Sequence, residues 1–290
     1  MKVKVEGVPF DRLTEAEVVD TVFQRLASDE GGYILTPNVD VLRQLKQHRA
    51  HDLVERSALV VPDGMPIVWA SRLMGTPLPE RVTGASLVWS LSEGAAARGA
   101  SIFLLGGAPG VAEQAATAFG ERFPSLNIAG IHCPPVGFEH DEEAVEEVRD
   151  AIADAKPDVV FVALGHPKQD RLGDALAEHF PSTWFLGCGG ALTMAADVVP
   201  RAPHWLSAVG LEWLHRFLHE PGRLFKRYFV HDMPFAAQLL ARALGRGVRA
   251  SLVPVPVSLP EQRLASPDSD QRPGATWPAT AAVPEQRKSA

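Results

Sequence analysis

The chain lacks the features that would place it in a disulfide-rich, metal-binding or membrane-spanning class. It has only two cysteines among 290 residues, Cys133 and Cys188, and their spacing fits neither a zinc motif nor a redox motif. We therefore expect reduced thiols in a cytoplasmic protein. No apolar run approaches the ~20 residues that cross a bilayer, and the first residues show no apolar signal core. Any membrane contact is therefore expected to be peripheral.

An excess of basic residues is also missing. The formal net charge of −7 argues against general nucleic-acid binding, which needs a basic footprint. His215 and His219 are four residues apart on a predicted helix, but no third ligand has suitable spacing, so no metal site is predicted. Both the P-loop ending and the dinucleotide fingerprint are absent. The apolar share of 46% is ample for a hydrophobic core.

Short apolar runs alternate with helical patterns over residues 1–199. Thr14 and Glu17 form a capping-box pattern at the start of the first long helix. Strands alternating with helices predict a doubly wound, mostly parallel, Rossmann-like α/β sheet. The predicted strands are Tyr33–Leu35, Leu59–Val61, Ser101–Leu105, Ile128–Ile131, Val159–Leu164 and Thr183–Leu186.

The pattern changes after this core. Residues 200–250 are predicted to form a helical, basic appendage. Its basic character comes from residues 216–250, which contain seven Lys and Arg and two acidic residues. Phe235, Leu239 and Leu244 belong to an apolar stripe with arginines beside it, which is typical of a membrane-surface helix. A helix packed on its own domain or on a partner subunit fits equally well. Residues 251–290 are rich in Pro, Ser and Ala and are predicted to be disordered.

Two polar clusters directly follow predicted strands: Thr36-Pro37-Asn38 and Pro62-Asp63-Gly64. In a parallel sheet both would lie at the carboxyl edge, where such folds bind ligands. Asp63 could act as a general base, and a helix N-cap is the competing interpretation. Thr36 and Asn38 could likewise bind substrate or form a capping turn.

Other strand ends carry further candidates. The glycine-rich turn that includes Gly106 and Gly107 lies between a strand and a helix, which is the setting of a phosphate-binding loop. A tight strand-to-helix connection explains these glycines about as well. Lys168 and Gln169 open another helix at the same predicted edge.

Several motifs occur in order and together resemble one known family. They are Thr-Pro-Asn at 36–38, Val-Pro-Asp-Gly at 61–64, Glu-Arg-Val-Thr-Gly at 80–84, Gly-His-Pro-Lys-Gln-Asp at 165–170, and Arg-Ala-Pro-x-Trp through Arg-Tyr at 201–228. Over about residues 3–235 the chain resembles the WecG/TagA/CpsF glycosyltransferases, family 26 of the sequence-based classification. It departs slightly, with Asp170 where the family often has Glu and with His166 at a variable position.

The resemblance implies an inverting, metal-independent enzyme without a cofactor. Members of the resembled family move a sugar, such as N-acetylmannosamine, from a UDP-sugar to an undecaprenyl-diphosphate-linked saccharide in cell-surface polysaccharide or teichoic acid biosynthesis. The implied location is the inner face of the cell membrane.

The resemblance also implies roles for particular residues. Asp63 matches the catalytic base, and Thr36 accompanies it at the catalytic site. Asn38, Arg81 and Gln169 match pocket residues around the donor and acceptor. The arginines of the appendage that would close the site match Arg216, Arg223 and Arg227.

Two other functions fit the same architecture. One is a nucleotide-dependent oxidoreductase, against which the missing dinucleotide fingerprint argues. The other is a non-catalytic scaffold of a polysaccharide assembly complex, against which Asp63 and its polar neighbours argue. The donor sugar and a homo-oligomeric state stay open at this point.

Overall fold

The computed structural model describes residues 1–48, 51–196, 212–219 and 221–252. Their centre is a six-stranded sheet in which every neighbouring pair of strands is parallel. A separate antiparallel hairpin precedes it. The hairpin strands are β1 Lys2–Val5 and β2 Val8–Asp11; the sheet strands are β3 Gly32–Leu35, β4 Leu59–Val60, β5 Ser101–Gly106, β6 Asn127–His132, β7 Val159–Ala163 and β8 Trp184–Gly187.

Helices connect the strands and continue beyond the last of them. They are α1 Glu15–Leu26, α2 Val39–His48, α3 His51–Arg56, α4 Met65–Leu73, α5 Gly84–Arg98, α6 Val111–Arg122, α7 Glu142–Ala155, α8 Lys168–His179, α9 Ala191–Ala195, α10 Glu212–His219, α11 Pro221–Phe225 and α12 Met233–Leu252. A 3-10 turn, Phe138–His140, precedes α7, and a π-helix, Lys226–Asp232, joins α11 to α12.

Helices cover both faces of the sheet, and successive strand side chains point to opposite faces. On β5, Phe103 belongs to the buried cluster that includes residues of α2, α3, α4, α7, α8 and α12, whereas Leu104 belongs to the cluster that includes residues of α1, α5, α6 and α9. The capping box at the start of α1 forms as predicted, with the Glu17 N–H donating to Thr14 Oγ1 at 3.2 Å. The prediction of a doubly wound parallel sheet is confirmed.

The strand order β4-β3-β8-β7-β5-β6 fixes where a ligand would bind. β3 and β8 are neighbours, yet α2 after β3 packs on one face of the sheet and α9 after β8 packs on the other. The chain therefore diverges at the carboxyl ends of these two strands. This is the topological switch point at which open α/β sheets form their binding crevice.

Helix α12 packs along α4. Leu239 and Ala243 are fully buried, and a Cβ at Gly247 would lie 2.0 Å from the Leu73 carbonyl oxygen. The apolar stripe of the appendage is therefore covered mainly by its own domain, although Leu244 stays exposed.

Two further observations concern the ends of the chain. The hairpin of β1 and β2 was not predicted, although Val3, Val5, Val8 and Phe10 occupy alternate positions on either side of Glu6-Gly7. The predicted boundary at 199 and nearly all of the 251–290 tail lie outside the described residues. Within the described ranges, none of the helices combines the length and apolarity needed to span a bilayer.

Candidate active site

Three polar loops are joined at the carboxyl edge of the sheet. The Asp63 N–H donates to the Pro37 carbonyl oxygen at 3.0 Å, and the Val82 N–H donates to the Pro62 carbonyl oxygen at 2.9 Å. These two bonds fix the loop after β4 between the loop after β3 and the segment before α5. They thereby hold the backbone around the predicted residues Asn38, Asp63 and Arg81 in one place.

The helix-cap interpretation applies to Asn38 and not to Asp63. The Val41 N–H donates to Asn38 Oδ1 at 3.0 Å, so this side chain does cap α2. Helix α4 instead has Gly64 as its N-cap residue, with no side-chain cap bond. Asp63 lies one residue outside that position and is half-buried.

A cavity of about 250 Å³ opens over these loops. One side of the cavity is formed by the loops at the sheet edge, and the other side is formed by the segment around the π-helix. Four of the predicted site residues line it together: Asn38, Asp63, Arg81 and Arg227. The remaining lining residues are Val39, Gly64, Met65, Pro66, Trp213, Tyr228, Asp232, Met233 and Ala236.

Thr36 lies nearer the switch point than the cavity does. A Cβ at Gly84 would be 3.6 Å from Thr36 Oγ1 and 3.3 Å from the Gly187 carbonyl oxygen. The N-terminus of α5 therefore packs closely between the ends of β3 and β8. The predicted catalytic Thr36 is half-buried there and is not among the cavity-lining residues.

The glycine-rich turn serves the connection between strands. The Gly107 N–H donates to the Ala163 carbonyl oxygen at 2.9 Å, so it extends the pairing of β5 with β7. Gly106 has a φ of 88°, and a Cβ there would lie 2.7 Å from the Leu164 side chain. Both glycines therefore fit the tight connection, and neither lines the cavity.

Lys168 and Gln169 also make contacts within the protein. Lys168 forms an ion pair with Glu139 of the 3-10 turn, and its side chain is half exposed. Gln169 is buried, and its Oε1 accepts hydrogen bonds from the N–H groups of Gly165 at 3.0 Å and Gly189 at 2.8 Å. Gln169 therefore ties the turn after β7 to the turn after β8.

Of the three appendage arginines, Arg227 is the one whose side chain the structure describes; the Arg216 and Arg223 side chains lie outside the described set. Arg227 Nε lies 3.2 Å from Asp40 Oδ2 and 3.5 Å from Asp232 Oδ2. Arg43 also pairs with Asp40, at 2.5 Å. The arginine at the cavity is thus held between one carboxylate from α2 and one from its own helix.

The two carboxyl groups respond differently to this environment. Burial raises the pKa of Asp40, but Arg227 and Arg43 outweigh burial and hold this pKa below its ordinary value. Burial, together with the negative charge of Asp40, raises the pKa of Asp232 to about 6. This pKa lies above the ordinary value of 3.8 for an aspartate, so Asp232 holds its proton to a higher pH than an exposed aspartate does.

Trp213, Tyr228 and Asp232 also line the cavity, although they are not among the predicted site residues. The rings of Trp213 and Tyr228 meet edge to face, with centroids 6.0 Å apart, and form part of the cavity wall. The tryptophan and tyrosine of the 201–228 run were a usable signal. Asp232 had none, because its position depends on the π-helix.

A buried network lies behind the edge, at Asp170. The Tyr33 hydroxyl donates to Asp170 Oδ1 at 2.6 Å, and His166 Nδ1 lies 2.5 Å from Asp170 Oδ2. Burial raises the pKa of Tyr33 well above its ordinary value, and the Asp170 charge raises it further. In the part of the chain that the structure describes, no three His, Cys, Asp or Glu side chains converge as metal ligands do.

This arrangement defines a class of enzyme. A half-buried carboxylate shares a cavity with arginines at the carboxyl edge of a parallel sheet, which suits transfer of a group between phosphorylated substrates.

Comparison with known proteins identifies the family. Residues 3–249 match the family model of the glycosyl transferase WecG/TagA/CpsF family. The chain is 33% identical over 199 residues to an N-acetylglucosaminyldiphosphoundecaprenol N-acetyl-beta-D-mannosaminyltransferase of Bacillus spizizenii, covering 68% of this chain and 75% of the relative. It is 31% identical over 226 residues to a protein of the same name from Staphylococcus aureus, covering 77% and 87%. The chain belongs to the WecG/TagA/CpsF family and is a glycosyltransferase.

Family membership separates the three functions considered from the sequence. A glycosyltransferase is neither a nucleotide-dependent oxidoreductase nor a non-catalytic scaffold.

Proposed function

We propose that the protein transfers N-acetylmannosamine or a related sugar from a UDP-sugar to an undecaprenyl-diphosphate-linked saccharide, with inversion and without a metal ion. The names of the similar proteins support the sugar and the lipid-linked acceptor. The observation that carries the proposal is the cavity that Asp63, Arg81 and Arg227 line together.

Asp63 acts as the general base in this reaction. Its carboxylate removes the proton of the acceptor hydroxyl while that oxygen attacks the anomeric carbon of the donor sugar. The new carbon–oxygen bond forms opposite the bond to UDP, which breaks, so the anomeric configuration inverts. A single carboxylate suffices because the acceptor is itself the nucleophile, whereas a hydrolase needs two.

The arginines of the cavity stabilise the departing diphosphate. Negative charge grows on the phosphate oxygens as UDP leaves, and guanidinium groups form strong charge-assisted hydrogen bonds to such oxygens. Arg81 reaches the cavity from the segment before α5, and Arg227 reaches it from the π-helix. Together they supply the positive charge that a metal ion would otherwise provide.

The protein works at the membrane surface on the cytoplasmic side. Leu218, Phe225, Phe229, Val230 and Met233 are all at least 39% exposed and lie close together in the chain. The rings of Phe225 and Phe229 also stack, with centroids 5.2 Å apart. Exposed apolar side chains beside the cavity-lining helices suit contact with a bilayer that carries the acceptor.

The test is a transfer assay with UDP-N-acetylmannosamine and a short-chain lipid-diphosphate N-acetylglucosamine. Asp63→Asn should lower kcat by about 10²- to 10⁴-fold, the range that a general base contributes. Asp154→Asn is the matched control, because Asp154 is an exposed carboxylate on α7. The proton NMR spectrum of the product should show that the anomeric configuration is inverted. Excess EDTA should leave the transfer rate unchanged.

Three results would contradict the proposal. Unchanged kcat in Asp63→Asn would remove Asp63 as the base. A retained anomeric configuration would exclude single displacement, and loss of activity in EDTA restored by Mg²⁺ would exclude the metal-independent mechanism.

A further inference from the structure

The π-helix determines which side chains face the cavity. Its hydrogen bonds connect residue i with residue i+5, so residues five apart lie nearly above one another. In an α-helix the same residues would be rotated by about 140° around the axis. Arg227 and Asp232 are five apart in this π-helix, and both line the cavity. The wider turn thus places a cation and a carboxyl group side by side at the site.

The two oxygens of Asp232 have different surroundings. Oδ2 lies 3.5 Å from Arg227 Nε. Oδ1 is shielded from solvent and has no hydrogen-bond partner among the described residues. Asp232 as a residue lines the cavity. An unsatisfied buried acceptor is destabilising, so a ligand group that reached Oδ1 from the cavity would be stabilised by a hydrogen bond to it.

The charged neighbours of Asp232 come from two elements. Asp40 and Arg43 face it from α2, and Arg227 faces it from its own helix. Asp63 and Arg81 line the same cavity. Arg227 is already shared by two carboxyl groups, so Asp232 Oδ1 is not needed to hold it.

We propose that Asp232 recognises a sugar, with Oδ1 accepting a hydrogen bond from a hydroxyl or an acetamido N–H group. The proposal rests on the proposed function in one respect, that Arg227 faces a diphosphate. Because Arg227 and Asp232 are adjacent, the recognised sugar is one attached directly to that diphosphate. Both substrates have such a sugar: the transferred sugar on UDP and the first sugar on the lipid diphosphate.

Binding calorimetry with two ligand pairs tests this directly. The donor pair is UDP and UDP-N-acetylmannosamine; the acceptor pair is a short-chain alkyl diphosphate with and without N-acetylglucosamine. In Asp232→Asn the amide oxygen is favoured on the side of Arg227, so an NH₂ donor takes the place of the Oδ1 acceptor. Binding of the sugar-bearing member of one pair should therefore weaken by about tenfold or more relative to its bare diphosphate, as expected for a lost hydrogen bond to a charged group. The affected pair identifies the sugar.

Asp40→Asn is the matched control, because it removes the other carboxylate that holds Arg227 but does not line the cavity. It should change both members of a pair equally. If Asp232→Asn also changes the affinities for both members of each pair equally, or changes neither affinity, Asp232 does not bind a sugar. These measurements need no turnover, so absent transfer activity would overturn the proposed function alone. Failure of every diphosphate to bind would overturn both.

The wild-type protein provides a second measurement should Asp232→Asn not fold. Protonation near pH 6 would fall on Oδ1, because Oδ2 faces Arg227, and would turn this acceptor into a donor. The ratio of the affinity for the sugar-bearing ligand to the affinity for the bare diphosphate should therefore fall as the pH is lowered from 7.5 to 5. It should do so in Asp63→Asn protein as well, and a ratio independent of pH in both proteins would overturn the proposal.

Discussion

Replacing Glu6 with glutamine is expected to loosen the contact between the N-terminal hairpin and the C-terminal helix. The Glu6 side chain is only 2% exposed, and three cations converge on it. Lys46 of α2 forms an ion pair with it, Arg242 Nη1 lies 3.1 Å away, and Arg246 Nη1 lies 3.8 Å away. One carboxylate therefore joins α2, α12 and the turn of the hairpin.

Glutamine is the informative replacement because it keeps the shape of the side chain and the backbone conformation of the turn. Glu6 has a φ of 50° and Gly7 a φ of 91°, as the two central residues of a tight hairpin turn require. Hydrogen bonds to charged groups contribute about 1.5–3 kcal/mol and neutral ones about 1 kcal/mol. Losing the charge on the contacts with Lys46 and Arg242 should therefore cost about 2 kcal/mol.

Differential scanning calorimetry at neutral pH should show the midpoint of unfolding lowered by about 4–8 °C, the shift that ~2 kcal/mol gives in a domain of this size. Hydrogen exchange should rise along α12. Arg246→Gln is the control, because Arg246 is 54% exposed and its pair should contribute under about 1 kcal/mol. A midpoint within 1 °C of wild type in Glu6→Gln would refute the reasoning.

The pH dependence has a defined sign. Burial raises the pKa of Glu6, but Lys46, Arg242 and Arg246 outweigh it and hold the pKa below its ordinary value of 4.5. This contribution to stability is therefore complete above about pH 4.5 and is lost as the pH falls through the folded-state pKa. The difference in stability between wild type and Glu6→Gln should accordingly disappear in acid.

Two other predictions concern Gln169 and the exposed phenylalanines. Gln169→Leu leaves the N–H groups of Gly165 and Gly189 without their acceptor and should reduce stability by about 2 kcal/mol in thermal unfolding; unchanged stability with a raised KM would instead indicate direct substrate contact. The double variant Phe225→Ser and Phe229→Ser should lose co-sedimentation with anionic vesicles while keeping its melting temperature; retained binding would exclude these rings as the membrane contact.

The sequence predicted those features of the fold that depend on residues close together in the chain. The capping box at Thr14 and the alternation of strands and helices both appear in the structure. Strand-end position also anticipated that Asn38 and Asp63 would lie together, because carboxyl ends of parallel strands share one edge. Whether such a residue caps a helix depends on where the helix begins, to within one residue. The structure shows that α4 has Gly64, and not Asp63, as its N-cap residue.

Contacts between distant segments could not be predicted in this way. Tyr33 and Asp170 are 137 residues apart, and Glu6 and Arg242 are 236 apart, so no periodicity links them. The π-helix has no sequence pattern of its own, and without it Arg227 and Asp232 would not share a face. The hairpin is different, since the alternate apolar positions on either side of Glu6-Gly7 are a local signal in the sequence.

The cavity takes its walls from segments that a ribosome makes at different times. Synthesis at about 5–20 residues per second separates the end of β8 from Ala236 by roughly 2–10 seconds. During that interval the nascent sheet already has its Asp63 loop, while the face of α4 that α12 will cover is still bare. Docking of α12 on α4 then buries that face and brings Met233 and Ala236 into the cavity wall, so one step both stabilises the fold and completes the site.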